Sequence, residues 1–235
     1  MTRGAGGGET RYRLRRRSLR IRAAAGVHPV DDALFEPVHR IPVRKGERVL
    51  DLGCGTGLYG LAAACLGAGE VVLTDIDPRA VACARANARR NGIGNARFAS
   101  GDFLEPVAGE RFDVICAQLP QTPAPSCFSL AKWGGPSGTD HLDRLLREAP
   151  AHLNPGGRLY LLLIDLADTE RFLRRARRRF TLRTVHSSRR SFSPDEYEAY
   201  LPGLFAYLES LRRRGRARFA RGGFRRRFVV ATLRD

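Results

Sequence analysis

The amino-acid sequence predicts an α/β fold, a mostly parallel sheet with helices on both faces, on three observations. Short apolar runs alternate with segments of helical periodicity from residue 48 to residue 176, as strands and crossover helices do. The run at 49–60, VLDLGCGTGLYG, passes from an apolar strand into a helix through four glycines and one carboxylate. Two more strand-like runs, 180–188 and 224–233, stand near the C-terminal end with a helix-periodic stretch between them.

Residues 1–26 form a basic arm whose first ten residues are glycine-rich and expected to be disordered. Tyr12, Leu14, Leu19 and Ile21 alternate with arginines and suggest an edge strand or hairpin. Residues 27–235 are expected to be one catalytic domain, since 235 residues can bury one substantial core, somewhat above the ~100–150 usual for a domain. Its first strand carries Asp51, and the glycines at 53, 55 and 57 remove the Cβ atoms that would keep a ligand from the backbone. A helix runs on to residue 66.

The second strand, 70–74, ends at Asp75, and the following helix has Pro78 in its first turn with Asp77 as its cap. A carboxylate at that strand tip can accept from both hydroxyls of a ribose, each such bond being worth roughly 1.5–3 kcal/mol. Residues 95–99 read as a third strand, followed by Gly101-Asp102-Phe103, and 112–117 as a fourth, which runs into Gln118-Leu119-Pro120-Gln121. A helix over 139–153 and the turn Asn154-Pro155-Gly156-Gly157 lead to a fifth strand ending at Asp165. Between the last two strands, residues 189–222 are expected to insert one helix on the substrate side. Ser193 caps it, and Tyr197, Tyr200, Leu204, Tyr207, Leu208 and Leu211 recur at helical spacing, either as a lid facing substrate or as an apolar stripe on the sheet.

Two cofactor geometries match the glycine loop. Gly55, Gly57 and Gly60 satisfy G-x-G-x-x-G, with Asp75 about 20 residues beyond, as a dinucleotide site requires. Asp51 ahead of Gly53 makes D-x-G-x-G-x-G, which resembles motif I of the class I S-adenosylmethionine-dependent methyltransferases. The resemblance implies a Rossmann-like, seven-stranded sheet with a closing antiparallel pair. It also implies that Asp51 orients the ammonium group of S-adenosylmethionine, that Asp75 takes the ribose, and that Asp102 lies against the adenine amino group with Ile76 or Phe103 flanking the ring. Gly53, Cys54, Gly55, Gly57 and Gln118 complete the expected cofactor site. Cys54 has no partner at metal-ligand spacing, and no metal is expected.

Further segments look like the release-factor glutamine methyltransferase branch: residues 27–32 (VHPVDD) resemble its V-x-P-x-x-D, and residues 133–138 (WGGPSG) its G-G-x-D-G. The likeness covers about residues 27–166. Where amino-methylating enzymes of the family carry Asn-Pro-Pro-Tyr, this chain has Gln118, Leu119, Pro120 and Gln121, and Ser137 stands for the acid. Gln118 keeps the amide that holds the acceptor nitrogen there, displaced by one methylene. Methyl transfer depends on collinear reactants about 3–3.5 Å apart, so that displacement bears on the choice of acceptor. A hydroxyl acceptor would require a base, for which Asp165 at a strand end is the expected residue, with His141 or Asp140 as alternatives. Pro120, Gln121, Trp133, His141, Tyr197 and Tyr200 are the expected acceptor-side residues.

Composition sets the wider bounds. No segment approaches the ~18–20 continuous apolar residues of a membrane span, no signal peptide is expected, and the five cysteines form no C-x-x-C pair, which together suggest a reducing cytoplasm. The formal net charge is +17, yet residues 49–170 are slightly acidic, so the excess lies at the two ends. All basic residues except Lys45 and Lys132 are arginine, a bias that a GC-rich genome would produce as readily as a polyanion partner would. The leading expectation is methyl transfer to nitrogen or oxygen of a small-molecule or peptide acceptor. An RNA or ribosomal-protein methyltransferase and an NAD(P)-dependent oxidoreductase are the alternatives.

Overall fold

The computed structural model describes residues 2–3, 9–14, 17–29, 36–220 and 222–234. Along the chain they form β1 (Thr2–Arg3), β2 (Glu9–Leu14), β3 (Arg17–Arg22), β4 (Arg48–Leu52), α1 (Leu58–Leu66), β5 (Glu70–Asp75), α2 (Pro78–Arg90), β6 (Ala96–Ser100), β7 (Phe112–Ala117) and α3 (Asp140–Glu148). There follow β8 (Leu153–Ile164), α4 (Thr169–Ala176), β9 (Phe180–Arg190), α5 (Pro194–Glu198), α6 (Leu204–Arg213), β10 (Phe219–Ala220) and β11 (Gly223–Leu233). The alternation of strand and helix is the expected one. The chain divides into two compact units, Met1–Gln118 with Ala151–Tyr160 and Asp235, and Leu119–Pro150 with Leu161–Arg234.

In the first unit β4 pairs in parallel with β5 on one side and β7 on the other, β6 lies beyond β5, and β8, whose residues up to Tyr160 belong to this unit, neighbours β7. The strand order therefore reverses at β4, and in open α/β sheets ligands gather beyond the carboxyl ends of the strands at such a point. Val49, Leu50, Val71, Val72, Leu73, Val114 and Ile115 are all fully buried, as strands covered on both faces require. α1 is apolar on nearly every side and packs inward through Leu58, Tyr59, Leu61, Ala62 and Ala63. α2 is amphipathic, begins at Pro78, and has Asp77 as its cap, whose carboxylate accepts from the Arg79 amide at 2.9 Å.

The N-terminal hairpin also belongs to this unit. Tyr12 pairs with Leu19, and Tyr12, Leu14, Leu19 and Ile21 are all buried, so the alternation with arginine marks a strand pair with one covered face. Asn91 grips β3 through both backbone groups of Arg20, at 2.8 and 2.7 Å. Asn87, fully buried, exchanges bonds with Arg22 at 3.1 and 3.0 Å and donates to the Thr56 carbonyl at 2.9 Å. Of the stretch expected to be disordered, residues 1 and 4–8 lie outside the described residues, while Thr2 and Arg3 pair with Arg11 and Thr10. Val30, Asp31 and Asp32 of the VHPVDD segment also lie outside them.

In the second unit β9 and β11 form a long antiparallel pair, from Phe180 opposite Leu233 to Arg190 opposite Phe224. β11 also neighbours β10 and β8. Among the described residues the strands joined to β4 through successive pairings number eight, roughly the seven expected, β10 being only two residues long. The single helix expected in the insertion is two helices. Leu201-Pro202-Gly203 interrupts it, because proline cannot continue a helix and Gly203, at φ 81°, starts α6 as its N-terminal cap. Tyr197, Leu204 and Leu208 bury against Leu166, Ala124 and Phe224, with the Phe192 ring edge-on to Tyr197 at 5.0 Å.

Candidate active site

The first unit assembles most of the expected cofactor residues at the carboxyl ends of β4 and β5. Asp51 is buried, and one carboxylate oxygen accepts the Gly60 amide at 2.7 Å. Gly60 is the third residue of α1, whose capping residue Gly57 makes no side-chain cap bond, so a carboxylate from the neighbouring strand takes that role. Burial raises the Asp51 carboxyl to about 7, against the lowering effect of the Gly60 bond, and the Asp75 charge adds to the rise. Two acids near one another with one of them desolvated form a ready site for a cationic group.

Asp75 ends β5 and binds the glycine loop: Oδ2 accepts the Gly55 amide at 2.9 Å and Oδ1 the Asp77 amide at 3.0 Å. The amides of Gly53 and Cys54 both donate to the Thr74 carbonyl at 2.9 Å, which fixes the loop against β5. A Cβ on Gly55, at φ 53°, would meet open space, so this glycine is needed for its backbone and leaves room for a ligand. Gly57 is different. Its amide is bonded to the Cys54 carbonyl, and a Cβ there would lie 3.0 Å from Ala84 and 3.2 Å from Leu73. The expectation that Gly57 opens the backbone to a ligand is therefore corrected: it is a packing glycine between α1, β5 and α2. Cys54 is buried, and burial holds its thiol well above the ordinary range.

Beyond Asp75, Ile76 is 58% exposed, one of two large apolar side chains so exposed among the described residues. Asp102 is half-buried after β6, next to Phe103, whose φ of 52° is unique among the described non-glycine residues. Such backbone strain collects at functional sites. At the end of β7 the Gln118 Nε2 is buried and has no hydrogen-bond partner among the described residues. A buried donor left alone costs about 1–3 kcal/mol, which a ligand acceptor atom would remove.

The expected acceptor-side residues lie in the second unit and divide by environment. Gln121 is buried with its amide fully engaged: Nε2 donates to the carbonyls of Leu119 at 3.3 Å and Leu162 at 2.8 Å, and Oε1 accepts the Ile164 amide at 3.1 Å. It clamps its loop to β8 and is not free to meet an acceptor. Tyr197 is likewise a core side chain, 3% exposed, which corrects its placement on the substrate face. Tyr200 is half-buried, with the Lys132 ammonium 3.4 Å from its ring centroid. Trp133 donates to the Ala124 carbonyl at 3.0 Å, the His141 Nε2 lies 3.2 Å from the Trp133 carbonyl, and Pro120 is half-buried. Asp165 is buried with Arg227 at 2.7 Å and the Thr169 hydroxyl at 3.4 Å, so the expected base is already engaged by partners of its own unit.

Asn87 is the connection that sequence reasoning missed. A single amide on the inward face of α2, at helical spacing from Ala80 and Ala84, was the available signal.

Residues 43–191 match the family model described as a methyltransferase domain. A ribosomal protein L11 methyltransferase of Dechloromonas aromatica is 42% identical over 137 residues, which are 58% of this chain and 38% of that protein. A provisionally named protein N5-glutamine methyltransferase of Methanocaldococcus jannaschii is 36% identical over 144 residues, 59% of this chain and 72% of that one. The chain thus spans well under half of the first relative's length. A methyltransferase of known structure from Pyrococcus furiosus superimposes with a TM-score of 0.59 at 22% identity, over 90% of this chain and 87% of that one, a likeness that speaks for the fold. With the family match covering more than half of its length, the chain belongs to the methyltransferase-domain family.

Proposed function

We propose that the chain transfers a methyl group from S-adenosylmethionine to a nitrogen of a protein or peptide side chain. The observation that carries the proposal is the arrangement at the switch point: Asp51 and Asp75 end adjacent parallel strands beside the open backbone of Gly55. This set fits the cofactor, with Asp51 toward its ammonium group, Asp75 toward its ribose, and Ile76, Asp102 and Phe103 toward its base. Bound there, S-adenosylmethionine supplies a methyl group already activated by a positive sulfur. The protein's part is orientation and exclusion of water.

Gln118 is the residue assigned to the acceptor. Its carboxamide presents an oxygen to an acceptor N–H, and its unpartnered Nε2 is available to a carbonyl on the same group. An amide or amine acceptor needs positioning more than a strong base, and the acid expected as a base, Asp165, is tied to Arg227. The relatives named for ribosomal protein L11 and for protein glutamine lend the protein-acceptor reading its support. Membership of the methyltransferase family sets the NAD(P)-dependent alternative aside.

Two measurements test the proposal. Calorimetry should give S-adenosylhomocysteine binding and no NAD binding. Incubation with radiolabelled S-adenosylmethionine and a cell extract, with and without protease digestion, should place the label in protein. Label that survives protease and is lost to ribonuclease would reject the protein acceptor.

A further inference from the structure

The charge of the second unit is not used by methyl transfer. Its sequence holds 22 lysines and arginines against 10 acids, a net of +12 out of +17 for the chain. Part of this charge borders an open concavity of about 460 Å³, lined by Arg189, Arg212, Arg218 and Arg225 with Phe219 and Phe224 among its walls. Arg189 and Arg225 are exposed and stand directly opposite one another across β9 and β11. Like charges so placed repel, and neither has an ion-pair partner among the described residues. Arg218 pairs with Glu170 at 3.1 Å and Arg212 with Glu209 at 2.8 Å, both at exposed sites where such pairs hold weakly. Asp165 is the one acid in the lining, and Arg227 neutralises it.

We propose that this concavity binds the phosphodiester backbone of single-stranded RNA. The arginine pair supplies guanidinium groups whose mutual repulsion a bridging phosphate would relieve. Phe219 supplies a half-buried ring, with the Arg212 guanidinium 5.6 Å from its centroid, as a platform on which a base stacks. A concave site with an aromatic wall accepts an unpaired nucleotide and excludes the stacked interior of a duplex. The partner is argued from this surface alone, independently of the methyl acceptor.

The test is fluorescence anisotropy of the full chain with a labelled single-stranded RNA of about 12 nucleotides, without cofactor. Four phosphate contacts at about −0.7 each predict a log–log salt slope near −3. The variant Arg189→Gln/Arg225→Gln should bind at least roughly tenfold more weakly with a slope shallower by about 1.4, whereas Arg174→Gln/Arg178→Gln, equally exposed on and just after α4 but outside the concavity, should change affinity less than about twofold. Equal losses in the two variants would mean diffuse attraction and would overturn the proposal. So would absence of RNA binding, or Arg189-dependent binding of phosphatidylserine vesicles in its place. The readout needs no methyl transfer, so it stands or falls apart from the catalytic assignment.

Discussion

The carboxylate of Asp51 accepts the backbone N–H of Gly60 at 2.7 Å, nine residues further along the chain. One side chain at the tip of β4 thereby caps α1 from outside the helix and remains beside the charge of Asp75. The bond is a structural tie, and it falls on a carboxyl that burial pushes well above its ordinary range. Its consequences can be measured.

The first concerns pH. The Asp51 carboxyl is raised to about 7 from an ordinary 3.8, chiefly by burial. A folded value above the unfolded one means that its stabilising contribution is complete below the unfolded value and is lost as pH rises through about 7. Stability of the ligand-free protein should fall by a few kcal/mol across that window, and Asp51→Asn should flatten the fall. Chemical denaturation at a series of pH values measures both. Affinity for S-adenosylhomocysteine should run the other way and strengthen as pH rises through about 7, since its ammonium group favours the carboxylate.

Gly60→Ala tests the packing. The new Cβ would lie 2.9 Å from Leu73 and 3.0 Å from the Asp51 Cβ. Alanine is the better helix former by roughly 1 kcal/mol, but overpacking costs about 1–3 kcal/mol, and it would also push Asp51 from its bond. Urea denaturation should show a net loss of stability. A gain would mean that α1 moves freely relative to β5.

Asp75→Ala should leave the protein folded and weaken S-adenosylhomocysteine binding by at least about tenfold, through lost ribose contacts and a loosened Gly55. Calorimetry decides it. Unchanged affinity would remove the ribose role.

The two glutamines should part company. Gln118→Ala should depress kcat by at least about tenfold with little change in cofactor affinity, the signature of a lost positioning contact. Gln121→Ala should lower stability by roughly 2–4 kcal/mol, because it strands the Ile164 amide and two carbonyls in the interior. Parallel kinetics and thermal melts separate the two. A stability loss at Gln118 equal to that at Gln121 would make both structural.

This contrast also marks the limit of what the chain discloses by itself. Strands β4, β5, β7 and β11 and the start of α2 follow from apolar runs, Pro78 and Asp77, and they bring Asp51 and Asp75 to adjacent tips as expected. Local pattern carries that much. It does not distinguish Gly55, which faces open space, from Gly57, which faces Ala84, because the difference lies in another helix. Nor does it separate Gln118 from Gln121, since the carbonyl that holds Gln121 belongs to Leu162, forty-one residues away. Tyr197 has helical spacing in either reading, and only Phe192 and Leu204 around it decide that it is core. The tyrosine and leucine periodicity runs on across Pro202-Gly203, where the backbone breaks into two helices.

Asn87 connects the N-terminal arm to the glycine loop by a short relay, from Arg22 in β3 to the Thr56 carbonyl beside Gly57. Trimming the protein back to the family-matched segment, which begins at residue 43, would therefore amputate a brace and leave the Thr56 carbonyl dependent on an asparagine with half its anchorage gone. A tidy catalytic fragment would inherit the motif and lose the stiffness that makes the motif useful.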